Sequence, residues 1–270
     1  MPSPAPDPLV RRLRDAGCVF AEDEARLLRG AAPSEAALEA LTGRRIAGEP
    51  LEYVLGWAEF RGRRLAVAPG VFVPRRRTEL LAREAVRVAH AGDVVLDLCC
   101  GVGAVATVLA ADVPGIELHA ADLDPAATAC ARRNLPPTAA VHTGDLYAAL
   151  PGSLRGRIDV LAANAPYVPT ERIALMPPEA RLHEEHAALD GGADGLELQR
   201  RIAREGRDWL APGGVVLFET SEQQAPATAA ILVEAGLRPR SVRSERLDAT
   251  VVLGRRRGGT GRKPSRQQVA

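Results

Sequence analysis

Apolar and polar positions change rhythm twice along the chain. Over the first fifty or so residues the apolar positions recur at helical spacing. Leu9, Val10 and Leu13 form one face behind Asp7 and Pro8, an N-cap followed by a proline at the first helical position. Residues 21–29 and 34–45 repeat the pattern, with Ser34 as an N-cap. From Leu51 the stretch LEYVLGWAEFRGRRLAV reads as two strands joined around Arg61-Gly62, with Trp57 and Phe60 as core residues. Pro69-Gly70 and Pro74 then lead into a helix predicted over residues 78–89.

Beyond that helix, strand and helix alternate. Residues 94–98, 117–122, 158–164 and 213–219 are predicted strands, and residues 102–111, 125–135, 196–209 and 222–235 the helices between or after them. Such alternation predicts an α/β fold with a mostly parallel sheet covered on both faces. Residues 250–253 read as a final edge strand. From Arg255 to residue 270 the chain is basic, glycine-rich and poor in apolar residues, which predicts a disordered tail.

Composition narrows the class. The 270 residues suffice for one large domain plus a small one, and 46% hydrophobic with 26% charged residues is an ordinary soluble balance. A net charge of +1 supplies no overall footprint for nucleic acid or an anionic membrane. Cys18, Cys99, Cys100 and Cys130 are spaced as neither a zinc site nor a disulfide framework, which favours a reducing compartment. The start, MPSPAPDPLV, lacks the layout of a signal peptide, and no apolar run is long enough to span a bilayer. A cytoplasmic protein without metal or membrane contact is expected.

Two motifs carry candidate chemistry. VVLDLCCGVGAVA is a strand ending in a glycine loop that opens a helix, where Gly101 and Gly103 let the backbone approach a ligand. About twenty residues later HAADLDP ends the next strand in Asp122, an acceptor suited to ribose hydroxyls. Gly101, Gly103 and Ala106 also satisfy the dinucleotide pattern G-x-G-x-x-A, so these elements alone indicate an adenosine-type cofactor, or a tight turn with a capping acid. The second motif is Asn164-Ala165-Pro166-Tyr167, where the strand RIDVLAA empties into a loop. A carboxamide or arylamine nitrogen is planar, with its lone pair delocalised. Two acceptors, the Asn164 amide oxygen and the Ala165 carbonyl, can hold both of its N–H bonds and turn the lone pair toward an electrophilic methyl group. Tyr167 can pack against the flat group. The plainer alternative is a strand-ending Asx turn with proline as breaker.

These residues resemble the protein N5-glutamine methyltransferases, which include the release-factor glutamine methyltransferases. The similarity runs from about residue 44 to 253 and includes GEPLEYVLGWAEFRGRRLAV, PRRRTELL, VLDLCCGVGAVA, ADLDPAATACARRNL, GDLY, NAPYVPT, ALDGGADGLELQRRI and LAPGGVVLFETSEQQA. The resemblance implies a seven-stranded, Rossmann-like class I methyltransferase sheet. Residues 1–73 would form a helical substrate-recognition domain with a β-hairpin, residues 74–254 the catalytic domain, and residues 255–270 the tail. It implies S-adenosyl-L-methionine held by Asp97, Cys99, Cys100, Gly101, Val102, Gly103, Asp122, Leu123, Asp145, Leu146 and Asn164. Asn164, Ala165, Pro166 and Tyr167 would receive a glutamine of a protein substrate, a release factor or ribosomal protein, with the enzyme acting as a monomer.

Four departures stand out. The family's N-P-P-Y is Asn164-Ala165-Pro166-Tyr167, its first loop glycine is Cys99, its P-R-P-E-T-E is Pro74 to Glu79 with Arg76 and Arg77, and its Glu-Pro is Glu184-Glu185. Asp190-Gly191-Gly192 reads as a loop over the active site or a plain surface turn. The rival functions are an N6-adenine methyltransferase of nucleic acid, an NAD-dependent oxidoreductase and an inactive cofactor-binding scaffold. Near-neutral charge and the lack of a target-recognition insertion count against the first; the oxidoreductase leaves the Asn-Ala-Pro-Tyr motif without a role.

Overall fold

The structure, a computed structural model, describes residues 7–258. Helices α1 (Pro8–Asp15), α2 (Ala21–Ala31) and α3 (Glu35–Ile46) open the chain. Asp7 Oδ1 accepts the Leu9 N–H at 3.0 Å and Ser34 Oγ accepts the Ala37 N–H at 3.2 Å, so both caps stand where the residue types place them. Leu13, Ala21, Ala25 and Leu28 bury against one another in a separate small cluster.

Residues Leu51–Leu55 form a short helix, α4, rather than the first of two strands. Leu51, Val54 and Leu55 have helical spacing, and Gly56, at φ +76°, stops the turn by donating its N–H to the Glu52 carbonyl at 2.8 Å. An apolar run of this length does not distinguish the two periods. The hairpin is shorter, β1 (Trp57–Phe60) and β2 (Arg63–Ala66), turning at Arg61-Gly62 as expected. Phe60 and Leu65 enter the core beneath the main sheet, whereas Trp57 is only half-buried, with the Arg64 guanidinium 4.1 Å from its ring centroid.

After α5 (Glu79–Val88) come β3 (Val94–Leu98), α6 (Ala104–Asp112), β4 (Glu117–Asp122), α7 (Pro125–Asn134), β5 (Ala140–Thr143) and β6 (Ile158–Ala163). The chain continues through α8 (Pro178–His183), α9 (Glu197–Trp209), β7 (Leu210–Thr220), α10 (Ala225–Glu234), β8 (Leu237–Ser244) and β9 (Ala249–Arg256). The seven-stranded sheet has the order β5-β4-β3-β6-β7-β9-β8. Its first five strands run parallel, and β9 lies antiparallel to both β7 and β8. Register sorts the core into two layers. Val95, Val160 and Val215 align on one face, and Leu96, Leu161 and Val216 on the other.

The last strand is therefore internal, not an edge. Backbone bonding to β7 on one side and β8 on the other extends it through Arg255 and Arg256, which the basic composition assigns to the tail. The remainder of that predicted tail, from residue 259, lies outside the described residues.

Candidate active site

The chain winds from β3 outward to β4 and β5, then returns to lay β6 on the other side of β3. That reversal leaves a crevice at the carboxyl ends of the strands. A cavity of about 700 Å³ occupies it, and every residue expected at the site lines it except Gly103. Gly103, at φ +79°, begins α6 and packs on α7, where an added Cβ would lie 3.3 Å from that of Ala131. It sets the helix rather than the wall.

The β3–β5 side is acidic. Gly101 donates its N–H to Asp122 Oδ2 at 2.8 Å, and Asp124 donates to Oδ1 at 3.0 Å, so the acid that ends β4 anchors the glycine loop. Burial raises the pKa of Asp122 against the pull of these bonds. Asp97 is buried and accepts the Ala106 N–H at 2.9 Å, capping α6 from the strand. Burial pushes its carboxyl up to about 8. Cys99 occupies the left-handed region at φ 58°. Burial also raises the Cys99 and Cys100 thiols, which disfavours the thiolate form. Val102 is buried behind the loop, while Leu123, 61% exposed, forms an apolar flank. At the rim Asp145 accepts from Arg201 Nη2 at 2.7 Å, followed by buried Leu146 at φ 46°.

The β6–β7 side carries Asn164, Ala165, Pro166 and Tyr167. Asn164 Nδ2 donates to the Thr78 hydroxyl at 3.3 Å. Among the described residues none donates to Asn164 Oδ1 or to the Ala165 carbonyl, so both expected acceptors are uncommitted. The Tyr167 hydroxyl donates to Glu219 Oε1 at 3.0 Å, and burial raises its pKa, keeping the phenol protonated. The Asp190-Gly191-Gly192 turn is a support for this loop. An added Cβ on Gly191 would fall 2.7 Å from the Pro166 carbonyl oxygen, and one on Gly195 2.3 Å from that of Tyr167. Asp190 Oδ1 holds the turn through the Thr170 hydroxyl at 2.7 Å and the Gly192 N–H at 2.9 Å.

The lining also carries Arg75, Arg77 and Arg172 together with the apolar Phe72, Leu175 and Met176. Glu184 clamps Arg75 at 2.7 and 2.8 Å and accepts the Val73 N–H at 3.1 Å. Arg45 joins Glu24 of α2 to Glu179 of α8, at 2.6 and 2.7 Å. Among the described residues no His, Cys, Asp and Glu cluster could hold a metal ion, and no helix is long and apolar enough to cross a membrane.

Thr78, Arg77, Gly195 and Glu219 were not singled out for a site role by the motifs. Glu219 had a readable signal, a polar residue at the end of an apolar strand, as Asn164 is. Thr78 had none, since its place beside Asn164 depends on an 86-residue separation.

A sheet of this order, with an acid-anchored glycine loop facing a strand-end Asn-Ala-Pro-Tyr, defines an α/β methyltransferase. The model of the methyltransferase small domain matches residues 64–189. The fold is shared with a methyltransferase from Pyrococcus furiosus, with TM-score 0.54 and 16% identity over 72% of this chain and 89% of that one. A release factor glutamine methyltransferase from Streptomyces coelicolor is 41% identical over 189 residues, 68% of this chain and 67% of its own. The 4-amino-L-phenylalanine/4-methylamino-L-phenylalanine methyltransferase of Streptomyces pristinaespiralis is 37% identical over 201 residues, 72% of this chain and 68% of its own. The chain belongs to the release factor glutamine methyltransferase family.

Proposed function

We propose that the protein transfers a methyl group from S-adenosyl-L-methionine to the side-chain amide nitrogen of a glutamine in a protein substrate, a peptide chain release factor. The observation that carries this reading is the pair of uncommitted acceptors, Asn164 Oδ1 and the Ala165 carbonyl, on the wall of the cavity that also holds the glycine loop. The cofactor fits the acidic side. Asp122, Asp124 and Asp145 suit a ligand with ribose hydroxyls and positive charge, and the loop backbone, with Asp97 capping the helix it opens, permits close approach. Cys99 to Val102, Asp122, Leu123, Asp145, Leu146 and Asn164 would hold it, with Gly103 setting the helix behind the loop. When bound, it supplies an electrophilic methyl group on sulfur.

The protein's own residues then do the positioning. Asn164 and Ala165 accept the two N–H bonds of the target amide, turning its lone pair out of conjugation. As the methyl carbon bonds to nitrogen, positive charge appears there; these fixed acceptors stabilise it without solvent reorganisation, and one of the two N–H protons leaves to solvent once the bond has formed. Pro166 stiffens the loop and Tyr167 packs against the amide plane. Helices α1 to α4 read the protein substrate, with the hairpin as their joint to the catalytic domain; the enzyme works as a cytoplasmic monomer without nucleic acid. Labelled cofactor incubated with the protein and a release factor tests this reading. Label on a glutamine of the release factor is expected, and none on any protein would reject it.

A second reading rests on the arginines of the cavity lining. Arg77 stands where the family's P-R-P-E-T-E pattern has glutamate, and with Arg172 it suits a carboxylate. A free arylamine amino acid, the substrate class named for the Streptomyces pristinaespiralis relative, combines a planar amine with a carboxylate. Transfer to 4-amino-L-phenylalanine but not to protein in the same assay would favour it.

A further inference from the structure

We propose that Asn134, the last residue of α7, is a positioning residue that holds the cofactor loop in shape and ties it to the β1–β2 hairpin. This rests on the reading of Cys99 to Val102 as the seat of S-adenosyl-L-methionine given above. Asn134 is half-buried and does not line the cavity; its carboxamide reaches the loop from the side of α7. Oδ1 accepts the Ala66 N–H at 2.7 Å, while Nδ2 donates to the Ala66 carbonyl at 3.0 Å and to the Val102 carbonyl at 2.9 Å. The two bonds to Ala66 are what a neighbouring strand would offer the end of β2. The third grips the middle of the glycine loop. One side chain on a third element thus joins hairpin and loop.

The donor and acceptor inventory fixes which way this amide faces. A carboxamide has an acceptor oxygen and an NH2 group with two protons, and here one N–H and two carbonyls surround it. Turned over, it would set its NH2 against the Ala66 N–H and its oxygen against both carbonyls. The loop needs such a tie. Val102 stands between Gly101 at φ 53° and Gly103 at φ 79°, and glycine leaves the chain on either side free to turn. The start of the loop is held from β4, where Cys100 donates to the Ala121 carbonyl at 3.0 Å and Gly101 to Asp122 Oδ2 at 2.8 Å. Farther on, the peptide between Val102 and Gly103 is held at both ends. Its N–H donates to the Cys100 carbonyl at 2.8 Å, and its carbonyl accepts from Asn134. Because the same carboxamide closes on Ala66, a shift of the hairpin is felt at the loop, and a seated cofactor is felt at the hairpin.

The test uses Asn134→Ala and Asn134→Asp in the full chain, read by amide hydrogen exchange, cofactor titration and transfer kinetics. Aspartate keeps an oxygen for the Ala66 N–H but sets its other oxygen against the two carbonyls. Exchange at Gly103 should therefore speed up by about tenfold in both variants. Exchange at Ala66 should speed up in Asn134→Ala and stay near its wild-type rate in Asn134→Asp. General loosening of the fold would instead move Ala66 and Gly103 together in both. The Kd and KM for S-adenosyl-L-methionine should rise by about tenfold, the scale of one hydrogen bond, with kcat at saturating cofactor within about twofold of wild type. A third measurement needs no variant. In the wild-type protein, saturating S-adenosyl-L-methionine should slow exchange at Ala66 by a larger factor than at Val67, whose N–H donates to the Gly56 carbonyl at 3.1 Å. Unmoved exchange at Gly103, joint loosening of Ala66 and Gly103 in Asn134→Asp, wild-type cofactor affinity in both variants, or equal slowing at Ala66 and Val67 would each overturn the proposal. If the wild-type protein binds no S-adenosyl-L-methionine, the cofactor reading fails, and exchange at Gly103 and Ala66 in the variants alone decides whether Asn134 anchors the loop.

Discussion

The backbone N–H of Gly101 donates to Asp122 Oδ2 at 2.8 Å, so the acid that ends one strand pins the loop that leaves its neighbour. One carboxylate thus shapes the glycine loop and faces the cavity. Replacing Asp122 with Ala should weaken S-adenosyl-L-methionine binding by about 1–3 kcal/mol, since it frees the loop and removes an acceptor. Asp122→Asn, which keeps one acceptor oxygen, should lose less. Titration calorimetry gives the comparison, and equal affinities for all three proteins would remove Asp122 from the cofactor site.

Cys99 holds φ 58°, a conformation in which a side chain costs roughly 1–2 kcal/mol and which glycine adopts freely. Cys99→Gly should therefore stabilise the fold by about 0.5–1 kcal/mol once the greater chain entropy of glycine, of similar size, is subtracted. Cys99→Val should destabilise it, because a β-branched residue fits that region worst. Urea denaturation measures both, and a less stable glycine variant would mean that the thiol packing outweighs the strain.

Asp97 provides a pH signature. Burial disfavours the charge and pushes its folded carboxyl up to about 8, far above the ordinary carboxylate range. The unfolded chain gives up this proton first, so the group's contribution to stability falls as pH rises from about 4 to about 8, and is constant above. The slope is at most about 1.4 kcal/mol per pH unit. Asp97→Asn keeps an acceptor for the Ala106 N–H without titrating. Its stability advantage over wild type should therefore grow across that window, and a difference independent of pH would contradict the buried, protonated state.

Asn164→Ala should reduce turnover by on the order of 10²–10³, the scale for one preorganised catalytic acceptor. Ala165→Pro should retain transfer, because the carbonyl remains and, among the described residues, the Ala165 N–H has no partner to lose. Single-turnover rates at saturating cofactor test the pair. A wild-type rate for Asn164→Ala would exclude the amide-clamp mechanism, and a dead Ala165→Pro would show that the loop backbone differs from the family's.

The sequence by itself determined the alternating strands and helices, the caps at Asp7 and Ser34, and the strand ends at Asp122 and Asn164. In each case burial or hydrogen bonding repeats within a few residues, so the pattern is local and legible. Tertiary structure decided the rest. The segment that becomes β8, Leu-Arg-Pro-Arg-Ser-Val-Arg-Ser, is largely exposed and is a strand because β9 pairs with it from end to end. That pairing also turned the expected edge strand into an internal one. Thr78 and Asn164 lie far apart in the chain, as do Tyr167 and Glu219, and no local period reports that the packing of α5, β6 and β7 brings each pair together. A hydrogen bond between distant residues follows from the packing of whole elements, and only the folded chain contains it.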